Sequence, residues 1–386
     1  MPAVVKRIVG LLGTREALST IVDWCFSSKN FKNPVLISFE LFMPLILAQI
    51  LLAHASFRVR INIMTNIGKI LFVIDELELK YFEFNTLVTN FWFIMEFLRR
   101  GSKVFVTVKN HMFLEGKSPM GFAFEANFDG AELMREKEKS KHALDDFDVI
   151  FFRPDPPVDI DYINATFILS YVKTPVINSV QAIRDKNEKI YINEFENIAP
   201  KNVVSADAGV IKEFLSQEGE IIIKPLNRCF SKGVFYLEHG DKNTNSIIDT
   251  ATNSGRTGVM VQKFLPEIKD GDKRLIFVCG EILEYCAVKK GTDDFKFNEH
   301  TDSNLFPTKI NEKDKAIERA VKEKFLADGV LLAGLDVIDG KVIEINITSP
   351  CFFIKEINAH FKTQLERVIA DKLEETVIKL KRHTFV

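Results

Sequence analysis

Residues 70–74, Ile-Leu-Phe-Val-Ile, form an uninterrupted apolar run that ends at an aspartate. Strands of parallel sheets have this pattern because helices cover both of their faces. We predict a helix next, capped by Asn85 or Thr86, and a second strand at residues 103–108. The predicted apolar face of that helix consists of Leu87, Phe91, Ile94, Met95 and Leu98. Together these elements predict a parallel βαβ unit.

The pattern changes near residue 187, which we predict as a domain boundary. Before it, the same sheet continues with strands at 148–152 and 175–178 and a helix at 162–172. After it, we predict mainly antiparallel strands, at 220–225, 233–238, 259–264, 274–279, 281–288, 333–338 and 341–347. Two helices are predicted among them, at 313–327 with Ile317, Ala320, Val321 and Phe325 inward, and at 355–379 with Ile357, Phe361, Leu365, Val368 and Ile369 inward. The fold class is therefore α/β followed by α+β.

Composition narrows the class of partner. The chain has 386 residues, which allows two or three domains. Its 51 Lys and Arg residues nearly balance 53 Asp and Glu residues, so no basic field favours nucleic acid, and we expect a small-molecule partner. The five cysteines are scattered without C-x-x-C spacing, which argues against a zinc site or disulfide framework and predicts a reducing, cytoplasmic location.

Residues 34–57 are mainly apolar and have the length of a membrane span. Glu40 counts against a span, because a carboxylate at the centre of a bilayer costs about 2.5–3.5 kcal/mol. Met64 stands directly before the first predicted strand and would serve well as a start codon. For residues 1–63 we favour a translated upstream sequence or a dispensable extension over a membrane anchor, with a docked helix as the third alternative.

The segment from Asp336 to Asn346 has the pattern of a β-hairpin with an Asp-Gly turn. Glu344 and Asn346 are two residues apart and project from the same face of their strand, and Asp336 can lie across from them. Three oxygen ligands would then converge. Such hard donors suit Mg²⁺, which takes its remaining ligands from water and nucleotide phosphates. The alternative is a solvated polar face on an ordinary hairpin.

Two lysines and a connector add to this hypothesis. Lys189 follows a charged segment, and Lys224 ends a buried strand, where an ammonium group is a natural point charge for phosphate. Residues 261–266, Val-Gln-Lys-Phe-Leu-Pro, would offer main-chain groups to the edge of an adenine. Each of these features alone also fits a solvated surface position.

Taken in order, several runs of the chain resemble the prokaryotic-type glutathione synthetases of the ATP-grasp superfamily. The runs are Arg153-Pro-Asp-Pro-Pro157, Asn164-Ala-Thr-Phe-Ile-Leu169, Arg184-Asp-Lys-Asn-Glu-Lys189, Lys224-Pro-Leu226, Gln262-Lys-Phe-Leu-Pro266, Lys269-Asp-Gly-Asp-Lys-Arg274 and Glu344-Ile-Asn-Ile-Thr-Ser-Pro350. The last two are the most specific. The resemblance covers about residues 69–374, and residues 1–63 have no counterpart.

The resemblance implies a pre-ATP-grasp substrate domain of α/β class at 64–187 and an ATP-grasp domain of α+β class at 188–386, after an N-terminal extension at 1–63. It also implies a homo-oligomer that forms glutathione from γ-glutamylcysteine, glycine and ATP through an acyl phosphate. The implied site residues are Lys189 and Lys224 on the ATP phosphates, Gln262, Lys263, Phe264 and Leu265 around adenine, Asp272 on the ribose, Asp336, Glu344 and Asn346 on two Mg²⁺ (or Mn²⁺) ions, and Arg274 facing the reacting carbonyl.

Three loops depart from the family pattern. The phosphate-covering loop, residues 227–233, keeps only Gly233 of its glycines. The substrate-covering loop, residues 291–304, lacks paired glycines, although Lys296 and Asn298 stand where the pattern has Arg and Asn. Residues 75–81 lack the expected lysine-rich stretch. Three hypotheses follow: an active glutathione synthetase, a ligase with a changed carboxylate and amine pair, or a nucleotide-binding protein that has lost turnover.

Overall fold

The computed structural model describes residues 67–130, 132–229, 232–291 and 304–384. The predictions for residues 1–63, including the apolar segment 34–57, lie outside these ranges. Within them, no helix has both the length and the apolar character that a membrane crossing requires.

The first sheet of the described chain is mixed, and four of its neighbouring strands are parallel to one another. They are β1 (Lys69–Ile74), β2 (Lys103–Val108), β7 (Val149–Phe152) and β8 (Val176–Ile177). β1 lies between β2 and β7, and β8 pairs with the far edge of β7. The apolar run of β1 is buried along its whole length, with every side chain from Ile70 to Ile74 at most 1% exposed. The predicted βαβ unit is confirmed.

Four antiparallel strands extend this sheet beyond β2, and the sequence analysis did not predict them. They are β3 (Met112–Glu115), β4 (Ser118–Phe128), β5 (Leu133–Arg135) and β6 (Ser140–Ala143). The sheet runs β3-β4-β2-β1-β7-β8, and β5 and β6 also pair with β4. Gly121, Ala123 and Ala126 occupy buried positions of β4. Such small residues hide the alternation that marks a half-buried strand.

Four helices accompany the first sheet: α1 (Glu76–Lys80), α2 (Thr89–Arg99), α3 (Ile160–Leu169) and α4 (Val180–Asp185). The short helices α1 and α4 were not predicted. α2 begins after the predicted caps, because the Asn85 carboxamide accepts a hydrogen bond from the Leu87 amide at 2.9 Å in a turn before the helix. Leu87, predicted on the apolar face, therefore lies outside the helix and is 56% exposed.

Two antiparallel sheets follow and confirm the predicted α+β class. One has the order β11-β10-β12-β9 and the other the order β16-β15-β13-β17-β18, with β14 on β13. The strands are β9 (Asn202–Ser205), β10 (Glu220–Pro225), β11 (Phe235–Glu238), β12 (Val259–Lys263), β13 (Asp272–Val278), β14 (Glu281–Ile282), β15 (Tyr285–Lys289), β16 (Leu305–Lys309), β17 (Leu332–Ile338) and β18 (Lys341–Asn346). β9 and β16 were not predicted.

Five helices cover these sheets: α5 (Ala208–Glu218), α6 (Thr244–Ala251), α7 (Glu312–Asp328), α8 (Ile354–Phe361) and α9 (Leu365–Thr384). α5 and α6 were not predicted, and Ala320, predicted inward on α7, is exposed. The single helix predicted at 355–379 is two helices, because Lys362 has a left-handed φ of 53°. Within α9, Leu365 and Ile369 are buried as predicted, whereas Val368, also predicted inward, is 40% exposed.

A single buried side chain, Asn178, joins the first sheet to the last one. It follows β8, and its carboxamide nitrogen donates to the carbonyls of Leu332 and Ile347, each at 2.7 Å. Its oxygen accepts from the amides of Leu331 and Leu332, each at 2.8 Å. Asn178 therefore satisfies four backbone groups at the start of β17 and just after β18.

We predict that Asn178→Ala lowers the free energy of unfolding by about 3–5 kcal/mol, because it leaves several buried backbone groups without partners. Urea denaturation measures the change. Asn127→Ala is the matched control, since Asn127 is exposed and bonds only the Glu136 side chain, at 3.3 Å, among the contacts described. A loss at Asn178 no larger than that of the control would contradict this role.

Candidate active site

One large cavity, about 870 Å³ in volume, lies between the β9–β12 sheet, the β13–β18 sheet and the end of the first sheet. It brings together all eleven residues that the sequence analysis selected. These are Lys189, Lys224, Gln262, Lys263, Phe264, Leu265, Asp272, Arg274, Asp336, Glu344 and Asn346. A cavity of this size accommodates a nucleotide together with a small substrate.

The hairpin of β17 and β18 places three oxygen-bearing side chains on one face of its sheet. Asp336 pairs directly with Glu344, and Gly334 pairs with Asn346. The Asn346 carboxamide nitrogen donates to the Gly334 carbonyl at 3.2 Å and to Asp336 Oδ2 at 3.3 Å. The convergence expected from a period-two strand is therefore present in the folded chain.

Asp336 is buried between two cations. Arg274 donates to both of its carboxylate oxygens, from Nε at 2.6 Å and from a terminal nitrogen at 3.0 Å. Lys289 Nζ lies 3.1 Å from Asp336 Oδ1 and 2.7 Å from Asp272 Oδ2. Burial alone would raise the pKa of the Asp336 carboxyl, but the charges of Arg274 and Lys289 outweigh it and hold this pKa well below its usual range.

Lys289 was missed by the sequence analysis. It ends β15 after the largely apolar residues Tyr-Cys-Ala-Val, just as Lys224 closes the Ile-Ile-Ile run of β10. Burial would lower the pKa of its ammonium group, and the neighbouring carboxylates Asp272 and Asp336 reverse that effect and raise it. The same signal that selected Lys224, a lysine at the end of an apolar strand, could have selected Lys289.

Lys189 and Lys224 both place buried ammonium groups beside the cavity. Lys189 Nζ donates to the Arg228 carbonyl at 2.8 Å and pairs with Glu344 Oε1 at 3.1 Å. Burial lowers the pKa of Lys224, and the negative charge of Glu344 opposes that effect. A buried ammonium group with a depressed pKa is stabilised by an anionic ligand such as phosphate.

The predicted adenine connector leaves β12 at the edge of the cavity. The amides of Lys263 and Phe264 already donate to the carbonyls of Lys201 and Glu220, at 2.9 and 3.0 Å. These two N–H groups are therefore committed to the sheet, contrary to the expectation that the whole segment presents them to a base. The Lys263 ammonium group points away, to Glu218 at 3.1 Å.

The side chains of two other predicted residues, Gln262 and Asp272, differ in how their polar atoms are satisfied. The Gln262 carboxamide donates to the Ile343 carbonyl at 3.1 Å, which ties β12 to the hairpin strand β18. Asp272 Oδ1 is buried and has no hydrogen-bond partner among the described residues. An unsatisfied buried acceptor in a cavity wall fits a ligand that brings a hydroxyl donor.

The segment after Asn346 is held by Glu188 and Arg153, which the sequence analysis did not select, and by Arg274, which it did. Glu188 Oε1 accepts from the amides of Ile347 and Thr348, at 2.7 and 2.9 Å, and from the Thr348 hydroxyl at 2.9 Å. Arg153 donates to the Pro350 carbonyl at 3.0 Å, and Arg274 to the Cys351 carbonyl at 3.1 Å. Glu188 and Arg153 bond backbone groups that are distant in sequence, so no local pattern could have selected these two residues.

Two of the three loops that depart from the family pattern are described only in part, whereas residues 75–81 are fully described and contain α1. In the first, Arg228 and Lys232 line the cavity, Gly233 has a positive φ of 77°, and residues 230 and 231 lie outside the described ranges. In the second, residues 292–303 lie outside those ranges, and they include Lys296 and Asn298, which stand where the family pattern has Arg and Asn.

We predict that Lys289→Met lowers the free energy of unfolding by about 3–5 kcal/mol, because it leaves Asp272 and part of Asp336 as buried charges without their cation. Lys309→Met is the control, since Lys309 pairs with Glu284 on the surface at 2.6 Å, and such exposed pairs contribute about 0–1 kcal/mol. Urea denaturation at neutral pH compares the two. Equal losses of unfolding free energy in the two variants would show that the buried charges around Lys289 stabilise the protein no more than an exposed ion pair does.

Comparisons with known proteins cover most of the chain. The family model for the prokaryotic glutathione synthetase N-terminal domain matches residues 69–184, and the model for the ATP-grasp domain of the same family matches residues 188–362. Among solved structures, D-cycloserine synthetase DcsG superposes with a TM-score of 0.60 at 16% identity, covering 80% of this chain and 100% of that one. A Chryseobacterium gregarium ATP-grasp ligase gives 0.53 at 14% identity, covering 81% and 97%. These likenesses show the fold.

Several proteins whose sequences are similar to that of this chain are glutathione synthetases. That of Vibrio cholerae is 34% identical over 292 residues, which are 74% of this chain and 92% of the relative. That of Salmonella typhimurium is 32% identical over 75% of this chain and 94% of its own length. That of Synechocystis is 40% identical over 54% of this chain and 66% of the relative. The chain belongs to the prokaryotic glutathione synthetase family.

Proposed function

We propose that this chain is an ATP-dependent glutathione synthetase, which joins γ-glutamylcysteine to glycine and forms ADP and phosphate. The observation that carries the proposal is that the side-chain oxygens of Asp336, Glu344 and Asn346 line the same cavity as two buried lysines, Lys189 and Lys224. The two domain models of the prokaryotic glutathione synthetase family, which both match this chain, support it. ATP-dependent ligation needs this combination of phosphate-binding cations and metal-binding oxygens.

The hairpin residues fit a hard divalent cation. Asp336 and Glu344 supply carboxylate oxygens and Asn346 a carboxamide oxygen, the donor set that Mg²⁺ or Mn²⁺ prefers. Asp336, Glu344 and Asn346 would hold such ions, which would supply positive charge to neutralise the ATP phosphates. Because Asp336 is already ionised between Arg274 and Lys289, no proton has to leave it before it binds a cation. We assign these three residues to the metal site, with Mg²⁺ as the expected ion.

The nucleotide would lie between the two antiparallel sheets. Lys189 and Lys224 would bind its phosphates, and Lys189 would then exchange Glu344 for a phosphate oxygen. Gln262, Lys263, Phe264 and Leu265 form the wall for adenine. The unsatisfied Asp272 Oδ1 would accept from a ribose hydroxyl.

The reaction has two steps that require no protein nucleophile. The cysteinyl carboxylate attacks the γ-phosphorus, ADP leaves, and an acyl phosphate forms. The glycine amine then attacks the acyl carbon, and phosphate leaves with its bonding electron pair as the amine loses a proton. Catalysis is therefore mainly positioning and charge neutralisation.

Arg274 has a more constrained role than the resemblance implies. Three of the five N–H bonds of its guanidinium donate to Asp336 and the Cys351 carbonyl. It therefore fixes a metal ligand and the cavity wall at once. We assign its remaining N–H bonds to the developing oxyanion of the tetrahedral intermediate.

We further infer a cytoplasmic homo-oligomer that binds no nucleic acid. The thiols of Cys279 and Cys286, both in the described chain, form no disulfide, which fits a reducing compartment. The net charge of −2 provides no field for a polyanion. Size-exclusion chromatography with light scattering measures the oligomeric state.

We predict that the full-length chain releases ADP and glutathione when given ATP, Mg²⁺, γ-glutamylcysteine and glycine. Glu344→Gln should lower kcat by roughly 10²–10³-fold, because it removes a charged metal ligand while keeping the shape of the side chain. Glu284→Gln is the control, since Glu284 is exposed and pairs only with the surface residue Lys309 among the contacts described. Activity that survives Glu344→Gln would refute the metal assignment.

The altered glycine loops motivate the alternative outcomes of the same assay. ADP release only with other acids or amines would establish a ligase with a changed substrate pair. Nucleotide binding without ADP release, across a panel of carboxylates and amines, would establish a binding protein that has lost turnover. Liquid chromatography with mass spectrometry distinguishes these products.

A further inference from the structure

The cavity has a nucleotide end, formed by the two antiparallel sheets, and an acidic end, formed by the first sheet and its helices. Its nucleotide end is lined by the cations Lys189, Lys224, Lys289 and Arg274, close to the predicted metal ligands. Its other end is formed by the first sheet and its helices, where Glu78, Asn90 and Asp155 line the wall. A ligand that spans the cavity would therefore meet cations where its carboxylate reacts and carboxylates where it ends.

Glu78 is held in a defined position at the acidic end. It lies on α1, directly after β1, and both of its carboxylate oxygens accept from the carboxamide of Asn90 on α2, at 3.3 and 3.0 Å. Asn90 is itself buried, 2% exposed. The Glu78 carboxylate is thus held in one orientation by its hydrogen bonds to the buried Asn90 side chain.

A hydrogen-bonded chain connects Glu78 to the segment after the metal ligands. The Asn90 carboxamide oxygen accepts from Arg153 Nε at 2.5 Å, and Arg153 donates onward to the Pro350 carbonyl at 3.0 Å. Arg153 is 2% exposed and lies over the rings of Phe93 and Phe352. The distance between the acidic end and Asn346 is therefore set by buried, packed groups.

The Glu78 carboxylate is partly buried at the acidic end of the cavity. Burial raises the pKa of Glu78 to about 8, and the nearby charge of Asp155 adds to this rise. A cationic ligand at this end would stabilise the ionised carboxylate.

We propose that Glu78 is a specificity-determining residue that binds the ammonium group of the γ-glutamyl moiety, with Asn90 and Arg153 as its positioning residues. The inference rests on the proposed function, because it concerns the acid substrate of that reaction. γ-Glutamylcysteine carries one ammonium group, at the end of the molecule remote from the cysteinyl carboxylate. With that carboxylate at the nucleotide end, the ammonium group reaches the end where Glu78 lies.

The test measures binding by titration calorimetry in the presence of ADP and Mg²⁺, with two probes. One is γ-glutamylcysteine, and the other is N-glutarylcysteine, which is the same molecule without the ammonium group. The wild-type protein should bind the first about 10–100-fold more tightly than the second, the size expected for a charge-assisted hydrogen bond. Glu78→Gln should reduce this preference to less than about threefold, by weakening only the binding of γ-glutamylcysteine.

Glu76→Gln is the matched control, because it makes the same charge change on the same helix at an exposed position that does not line this cavity. It should keep the wild-type preference. Arg153→Lys should lower the preference while nucleotide affinity stays unchanged, a result that general unfolding would not give. Nucleotide affinity also verifies that Glu78→Gln is folded, and Glu78→Asp, which keeps the charge, should retain part of the preference.

The outcomes separate this inference from the proposed function. A wild-type preference that persists in Glu78→Gln, or equal wild-type binding of both probes, overturns the role of Glu78 even if the chain synthesises glutathione. If the chain binds γ-glutamylcysteine with the predicted preference but releases no ADP, the binding role of Glu78 is supported and the proposed ligase activity is refuted. Absence of binding by either probe overturns the inference.

Discussion

The ionised carboxylate of Asp336, buried between Arg274 and Lys289, holds the centre of the cavity in place. Removing an ion from water is costly, so this carboxylate is stable inside the protein only with both cations in contact. Those cations come from β13 and β15, whereas the carboxylate comes from β17. The requirement for charge pairing therefore sets the register in which three strands present their side chains to the cavity.

The segment after Asn346 transmits this geometry to the first sheet. Its backbone groups bond Asn178, Glu188, Arg153 and Arg274, which come from four different parts of the chain. A backbone held in this way cannot shift without breaking several buried hydrogen bonds, each of which is costly to lose. The acidic end of the cavity and the end that contains Asp336, Glu344 and Asn346 are consequently held by one network of buried hydrogen bonds.

The elements that were predicted correctly are those whose local pattern is strong. β1 was predicted from its apolar run, and the turn of the β17–β18 hairpin from its Asp-Gly pair. β4 was missed because Gly121 and Ala123 fill its buried positions. The break at Lys362 was missed because nothing in the sequence marks a lysine for a left-handed conformation, which the surrounding packing imposes.

The sequence by itself determined the order of α/β and α+β regions, the oxygen-bearing face of the hairpin and the lysines that end buried strands. These features follow from the hydrophobic periodicity of each strand or helix and from the residues at its ends, which are patterns that span only a few residues. Only the tertiary structure decided that Lys289 shares Asp336 with Arg274, and that Glu78 is tied to Pro350 through Asn90 and Arg153. Such contacts join residues far apart in the chain, and their energies depend on burial, which arises only when the sheets pack together.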